Sequence, residues 1–82
     1  MGTYDNMLEK IKKTPTAKDI QPNELQSFLK HYGFKLKRTT GSHFIYEYPT
    51  QETTFMLNIP MHKPVKPAYI DMIREKIEEI ER

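Results

Sequence analysis

The sequence has no cysteine and no long apolar run. Without cysteine, the chain cannot form a disulfide framework, a zinc–thiolate site or a thiol nucleophile. No stretch approaches the roughly 20 apolar residues that a membrane-spanning helix needs, and the first residues lack the apolar core of a signal peptide. We therefore expect a cytoplasmic protein that does not insert into a membrane.

The chain is also short, since 82 residues are enough for one domain but not for two. Hydrophobic residues make up 37% of the sequence and charged residues 29%, which is typical of a globular chain rather than a disordered one. A domain of this size buries only about 60–65% of its unfolded surface. Its core must therefore use most of the apolar residues available.

Apolar residues at helical spacing predict three helices. A short amphipathic helix is predicted over residues 4–13, and the sequence does not decide whether it packs on the domain or frays. A second helix begins at Pro22, which suits the first helical position, and stops at Gly33, which suits the cap. The third helix runs from Pro67 to the C-terminus. The apolar stripes of the second and third helices, expected in the core, are Leu25, Phe28 and Leu29, and Ile70, Ile73, Ile77 and Ile80.

Between these two helices the apolar period changes to two, which predicts strands. The first strand begins at Phe34, the second covers residues 43–48, and the third covers residues 53–59 before Pro60. Short connections make the three strands pair antiparallel. The sequence thus predicts an α+β fold, α-β-β-β-α, with both helices on one face of the sheet and a short helical extension in front. Within the second strand, Phe44, Tyr46 and Tyr48 share one face, and His43, Ile45 and Glu47 share the other.

The net charge of +2 is unevenly distributed. Residues 30–66 contain six basic and two acidic side chains, whereas residues 67–82 contain three basic and five acidic ones. Positive potential is thus concentrated on the predicted sheet, where a polyanion would bind. The same distribution is also typical of an ordinary solvated face.

Three histidines are candidates for chemistry. His31 lies near the end of the second helix and is interpreted as a surface or capping residue. His43 follows Gly41 and Ser42, whose small size lets a substrate backbone approach, and it is predicted to point away from the helices. His62 follows the third strand, in a loop of the kind that often carries binding groups.

Several segments of the chain occur in a characteristic order. The triplet Gly41-Ser42-His43, with Arg38 before it, follows a helix–glycine–strand unit. An aromatic strand, the segment Ile59-Pro60-Met61-His62 and a final helix opened by Pro67 come next. Together these segments resemble the HicA family of toxins, and the resemblance covers roughly residues 19–80.

This resemblance implies a fold and an activity. It implies a double-stranded-RNA-binding-like domain over residues 19–82, with residues 1–18 as an extension. It further implies the toxin of a type II toxin–antitoxin system, a ribonuclease that cleaves mRNA without a metal or cofactor, with a HicB-like antitoxin as partner. The family's catalytic histidine falls on His43. The side chains expected to contact RNA are Lys35, Lys37, Arg38, Ser42, His62 and Lys63.

The chemistry of RNA fits this set. Cleavage by the 2′-hydroxyl needs a base, an acid for the leaving oxygen and cations for the phosphate. Histidine suits acid–base work because its unperturbed pKa is about 6.5. His43 is the expected base or acid, Lys37 and Arg38 the phosphate ligands, and His62 a weaker candidate for the second proton transfer. Two histidines without a carboxylate cluster make a poor metal site.

Two other classes of function remain open. A non-catalytic RNA-binding module of the same fold would need the basic residues but not His43. A protein-interaction domain would use Tyr46, Tyr48 and the last helix, provided that these side chains are not all buried. The isoleucine stripe is interpreted as core, which disfavours this second alternative.

Overall fold

Residues 3–82, which the computed structural model describes, form three helices and one three-stranded sheet. The elements are α1 (Thr3–Lys12), α2 (Pro22–Tyr32), β1 (Lys35–Thr40), β2 (His43–Pro49), β3 (Thr54–Pro60) and α3 (Pro67–Glu81). This order confirms the predicted α+β fold and its α-β-β-β-α core. None of the helices within this part of the chain combines the length and apolarity needed to cross a membrane.

The sheet is antiparallel with the order β1-β2-β3, so β2 is central. Its inner face contributes Tyr46, Leu57 and Ile59, each at most 4% exposed, to the core beneath the helices. The predicted stripe of α2 is buried against it, and so are Ile70, Ile73 and Ile77 of α3, which confirms these as core residues. Ile80, the last residue of the α3 stripe, is only half-buried and packs at the margin of the core. The prediction that Phe44, Tyr46 and Tyr48 share one face of the second strand is also confirmed, because Phe44 and Tyr48 pack on the core beside Tyr46.

Gly33 connects α2 to the sheet. Its φ of +125° is a conformation that favours glycine, and its N–H donates to the Leu29 carbonyl at 3.2 Å. A Cβ atom at this position would lie 2.9 Å from the ring of Tyr48. Both the backbone angle and this close approach therefore require glycine where the chain turns into β1.

The edge strand β1 is exposed along its whole length. Alternation predicts Leu36 on the covered face, and Leu36 does pair with Tyr46, yet it is 49% exposed. Leu36 lines an open groove between α2 and β1, so α2 does not close over it. Alternation thus gives the correct face for Leu36 but not its burial.

Helix α1 packs on α2 and α3, which settles the question that the sequence left open. Its Met7 and Ile11 are buried, and the ring of Tyr4 stacks on Phe28 with 5.4 Å between centroids. The Arg74 guanidinium of α3 donates to the carbonyl of Ile11 at 3.3 Å and to that of Lys13 at 3.1 Å. It thereby satisfies carbonyl groups that the end of a helix leaves without partners.

Glu81, near the end of α3, connects all three helices. Its carboxylate accepts hydrogen bonds from Lys12 Nζ at 3.1 Å and from the Tyr32 hydroxyl at 3.0 Å. The Lys12 hydrogen bond is the main cause that lowers the pKa of Glu81, and the Tyr32 hydrogen bond adds to it. In turn, burial first and this hydrogen bond second raise the pKa of the Tyr32 hydroxyl.

We predict that the free energy of unfolding of Glu81→Gln depends less on pH in the acid range than that of the wild type. A carboxyl whose pKa is lowered by folding contributes stability above its unfolded pKa, near 4.3, and loses that contribution as pH falls through the folded pKa. Glutamine keeps the shape but does not titrate, so stability should fall less between about pH 5 and pH 2. Urea denaturation across this range measures the effect.

Glu78→Gln is the matched control, because Glu78 lies on the same helix, is exposed, and forms no ion pair among residues 3–82. In the acid range, the free energy of unfolding of this control should fall with pH about as steeply as that of the wild type. Identical slopes for Glu81→Gln and the wild type would contradict the assigned bridge.

Candidate functional site

A tight hairpin places His43 at the start of β2. Thr40 pairs with His43, so Gly41 and Ser42 alone form the loop. Gly41 has a φ of +59°, whereas no residue other than glycine has a positive φ in residues 3–82. Positive φ at the first loop position only is the pattern of a type II′ turn, which takes glycine there. A Cβ atom on Gly41 would meet nothing within 4 Å, so the tip of the hairpin is open to a large molecule.

A bulge in β1 brings Arg38 to the face that carries His43. Leu36 pairs with Tyr46, but Arg38 pairs with Ile45, so Lys37 is the extra residue. Residues that are paired across antiparallel strands share a face of the sheet. Strict alternation would instead place Arg38 with Leu36, on the helix side. We define the outer face of the sheet as the side that carries His43 and Ile45. Because of the bulge, Arg38 lies on this outer face, whereas strict alternation would place it on the helix side.

Asn58 of β3 binds the imidazole of His43. Asn58 pairs with Ile45, two pairs along from the pair His43–Pro60, and is therefore a diagonal neighbour of His43 on the same face. Its Oδ1 lies 3.0 Å from His43 Nδ1. With the amide oxygen as the acceptor, Nδ1 is the donor, and the neutral ring then carries its proton on Nδ1 rather than on Nε2.

Sequence reasoning missed Asn58 as a functional residue. The available signal is its polar side chain at an outward position between Leu57 and Ile59, both of which are buried. Which residue of β2 Asn58 contacts depends on the register of pairing between β2 and β3. That register is set by the turn in which Thr50 Oγ1 bonds the carbonyl of Thr53 at 2.7 Å.

The loop after β3 lies beside the hairpin. The N–H of Met61 donates to the carbonyl of Ser42 at 2.8 Å. His62 follows directly and is exposed, so its backbone lies at the same corner as Ser42 and His43. Lys63, also exposed, is one residue further along. The structure thus brings the backbone of His62 to the corner of the sheet that carries His43.

Lys35 lies apart from this corner. It pairs with Glu47 at the far end of β1. At a rise of about 3.4 Å per residue, its partner Glu47 is roughly 14 Å along β2 from His43. Of the predicted RNA contacts on β1, Lys35 is thus the one most distant from His43, and it lies opposite a carboxylate.

The cations among the predicted RNA contacts form no salt bridge within residues 3–82. Among residues 3–82, the salt bridges join Lys10 with Asp19, Lys12 with Glu81, Arg74 with Asp71, and Lys76 with Glu79. All of these lie on the helices or in the segment after α1. Lys37, Arg38 and Lys63 form none, so their charge is available to an anion in solution.

His43 stands on an open surface rather than in a cleft. A groove of about 580 Å³ lies between α1 and α2, and another of about 550 Å³ lies between α2 and the inner side of β1, and neither is lined by His43. Small-molecule sites are usually concave. An exposed imidazole on the face of a sheet is better suited to a long polymeric substrate than to a small molecule. Within residues 3–82, no three histidine or acidic side chains cluster in a way that could hold a metal ion.

Comparison with known proteins identifies the family. The family model described as HicA toxin of bacterial toxin–antitoxin systems matches residues 22–79, from the start of α2 almost to the end of α3. Searches of curated proteins and of solved structures each found no match. The matched segment covers well over half of the chain and contains the whole sheet with His43. The chain therefore belongs to the HicA family of toxins of bacterial toxin–antitoxin systems.

Proposed function

We propose that this toxin is an endoribonuclease that cleaves mRNA in the cytoplasm without a metal or cofactor, and that His43 is its catalytic residue. HicA toxins are in general toxins of the ribonuclease type. The observation that carries the proposal is the position of the His43 ring. It is exposed on the outer face of the sheet, hydrogen-bonded to Asn58, and shares that face with Arg38, which forms no salt bridge within residues 3–82.

In the proposed reaction the RNA supplies its own nucleophile. Nε2 of His43 takes the proton of a 2′-hydroxyl as the 2′-oxygen attacks the adjacent phosphorus. The bond from phosphorus to the 5′-oxygen breaks, and that oxygen takes a proton from an acid. The products are a 2′,3′-cyclic phosphate and a free 5′-hydroxyl, so water and redox partners are not consumed in this step.

The remaining residues have supporting roles in this proposal. Arg38 and Lys37 stabilise the charge that the phosphate gains in the transition state. Ser42 donates a hydrogen bond to a phosphate oxygen, and His62 is the proposed acid for the 5′-oxygen. Lys63 and Lys35 bind the backbone of the RNA further from the cut, where contacts contribute affinity rather than rate.

A HicB-like antitoxin is the proposed partner. HicA toxins are in general paired with an antitoxin. The unpartnered cations of the outer face would attract an acidic segment of such a protein as well as RNA. An antitoxin bound there would exclude the substrate.

The products of cleavage test the proposal. We expect the purified chain to cut a single-stranded RNA in the presence of excess chelator, and the fragments to end in 2′,3′-cyclic phosphate and 5′-hydroxyl groups. Attack by water on the phosphorus, with the 3′-oxygen as the leaving group, would instead give 3′-hydroxyl and 5′-phosphate ends. Mass spectrometry of the fragments distinguishes the two outcomes.

An RNA with a single 2′-deoxy nucleotide at the cut position is the matched substrate control, because it lacks the nucleophile only. It should remain intact at that position. Cleavage of this substrate at the same bond, or complete loss of activity in the chelator, would contradict the proposed chemistry.

A further inference from the structure

A hydrogen bond of 3.0 Å joins Asn58 Oδ1 and His43 Nδ1. The two side chains come from neighbouring strands, β3 and β2, and both are exposed. We propose that Asn58 is a positioning residue that holds His43 in the tautomer with the proton on Nδ1, so that Nε2 faces the RNA as a base. This inference rests on the proposed function and specifies how the same site works.

The surroundings of the bond help to fix it. Pro60 lies directly across from His43, and Ile45 lies directly across from Asn58. The hydrogen bond thus joins two diagonal neighbours, and the residue directly across from each of them is apolar. Pro60 is buried and Ile45 is half-buried. These neighbours restrict the space that the two side chains can occupy. A histidine elsewhere on an exposed strand would choose freely among its rotamers.

The tautomer decides whether His43 can act as proposed. With the proton on Nδ1, the lone pair of Nε2 is available for the proton of the 2′-hydroxyl, and the ring that results donates from both nitrogens. The proton on Nδ1 stays bound to Nδ1 and hydrogen-bonded to Asn58 Oδ1 throughout the step. An amide turned by 180° would instead donate its own N–H to Nδ1, leave the proton on Nε2, and block proton uptake there.

Nitrogen NMR of the chain labelled at histidine tests the tautomer without RNA. At a pH at which the imidazoles are neutral, we expect His43 of the wild type to carry its proton on Nδ1. Asn58→Leu should shift the population toward Nε2. Asn58→Asp keeps an oxygen acceptor and should preserve the proton on Nδ1. A proton on Nε2 in the wild type, or the same tautomer ratio in the wild type and Asn58→Leu, would overturn the inference.

Kinetics test the consequence. We expect Asn58→Leu to lower kcat roughly tenfold, which is the scale of one neutral hydrogen bond that fixes the ring, and to change KM for RNA by less than about twofold, since leucine removes no cation. Met56→Leu is the matched control, because it places leucine two residues earlier on the same exposed face of β3 without contact to His43. It should cut at the wild-type rate. An unchanged kcat in Asn58→Leu would overturn the positioning role.

Failure of the proposed function gives a different pattern. If His43→Ala cuts RNA as fast as the wild type while NMR finds the proton on Nδ1, then the hydrogen bond exists but positions no catalytic group. That result would overturn the proposed function and, with it, the role of Asn58 in catalysis. If His43→Ala is inactive and Asn58→Leu is fully active, only the inference about Asn58 is wrong.

Discussion

Replacing His43 by alanine is expected to lower the rate of RNA cleavage by about 10²- to 10⁴-fold, the range that general acid–base catalysis typically contributes. The fold should persist, because the ring is exposed and its hydrogen bond joins two exposed side chains. Surface substitutions of this kind usually change stability by less than about 0.5 kcal/mol. Single-turnover cleavage of a labelled RNA measures the rate, and urea denaturation measures the stability.

His31→Ala is the matched control for this substitution. His31 is also exposed and also binds through Nδ1, in this case to the carbonyl of Ser27 at 3.0 Å within α2. Loss of this histidine should leave the rate of cleavage unchanged. A His43→Ala variant that is folded and cuts at the wild-type rate would contradict the catalytic assignment.

Binding by the same variant separates an enzyme from a non-catalytic RNA-binding module. The cations on the outer face remain in His43→Ala, so its affinity for RNA should stay within a few-fold of the wild type. An RNA-binding module would show the same affinity for both proteins but no cleavage by either. Loss of both binding and cleavage in the variant would assign His43 to RNA affinity rather than to proton transfer.

The fold could be predicted from the sequence because its signals are local. Pro22 and Gly33 bracket α2, Pro67 opens α3, and the apolar period changes between the helices and the strands. The direction of His43 follows from the same logic, since residues 43 and 46 have opposite parity and Tyr46 is in the core. These features need only the few residues around each position.

The parts that sequence reasoning did not reach depend on distant contacts or on register. The packing of α1 relies on Arg74 and Glu81, which lie more than 60 positions away along the chain. The bulge at Lys37 moves Arg38 to the other face of the sheet, and alternation of apolar residues carries no signal for such an insertion. The contact between Asn58 and His43 requires the β2–β3 register.

The docking of α1 leads to the second large effect, on stability. Ile11 is fully buried and lies outside the segment that matches the family model. We expect Ile11→Ala to lower the free energy of unfolding by about 2–5 kcal/mol, as is typical when a buried isoleucine is truncated. At roughly 0.05–0.15 kcal/mol per residue, a domain of this length has only about 4–12 kcal/mol in total. The midpoint of urea denaturation should therefore fall steeply.

Glu9→Ala is the control on the same helix, because Glu9 is exposed and alanine favours a helix. It should change stability little. A similar small change in Ile11→Ala would show that α1 is not packed on α2 and α3 in solution. We propose on this basis that residues 19–82 form the HicA domain and that residues 1–18 are an extension that stabilises it.

The two variants should behave in opposite ways because their side chains lie on opposite sides of the sheet. Ile11 is buried among the helices, whereas His43 stands on the outer face. At a temperature at which Ile11→Ala is still folded, it should therefore cut RNA at nearly the wild-type rate while unfolding at lower urea. His43→Ala should keep the wild-type midpoint and lose the cleavage. If Ile11→Ala instead lost activity while folded, α1 would have to influence the outer face through the core, and the separation between the extension and the site would be wrong.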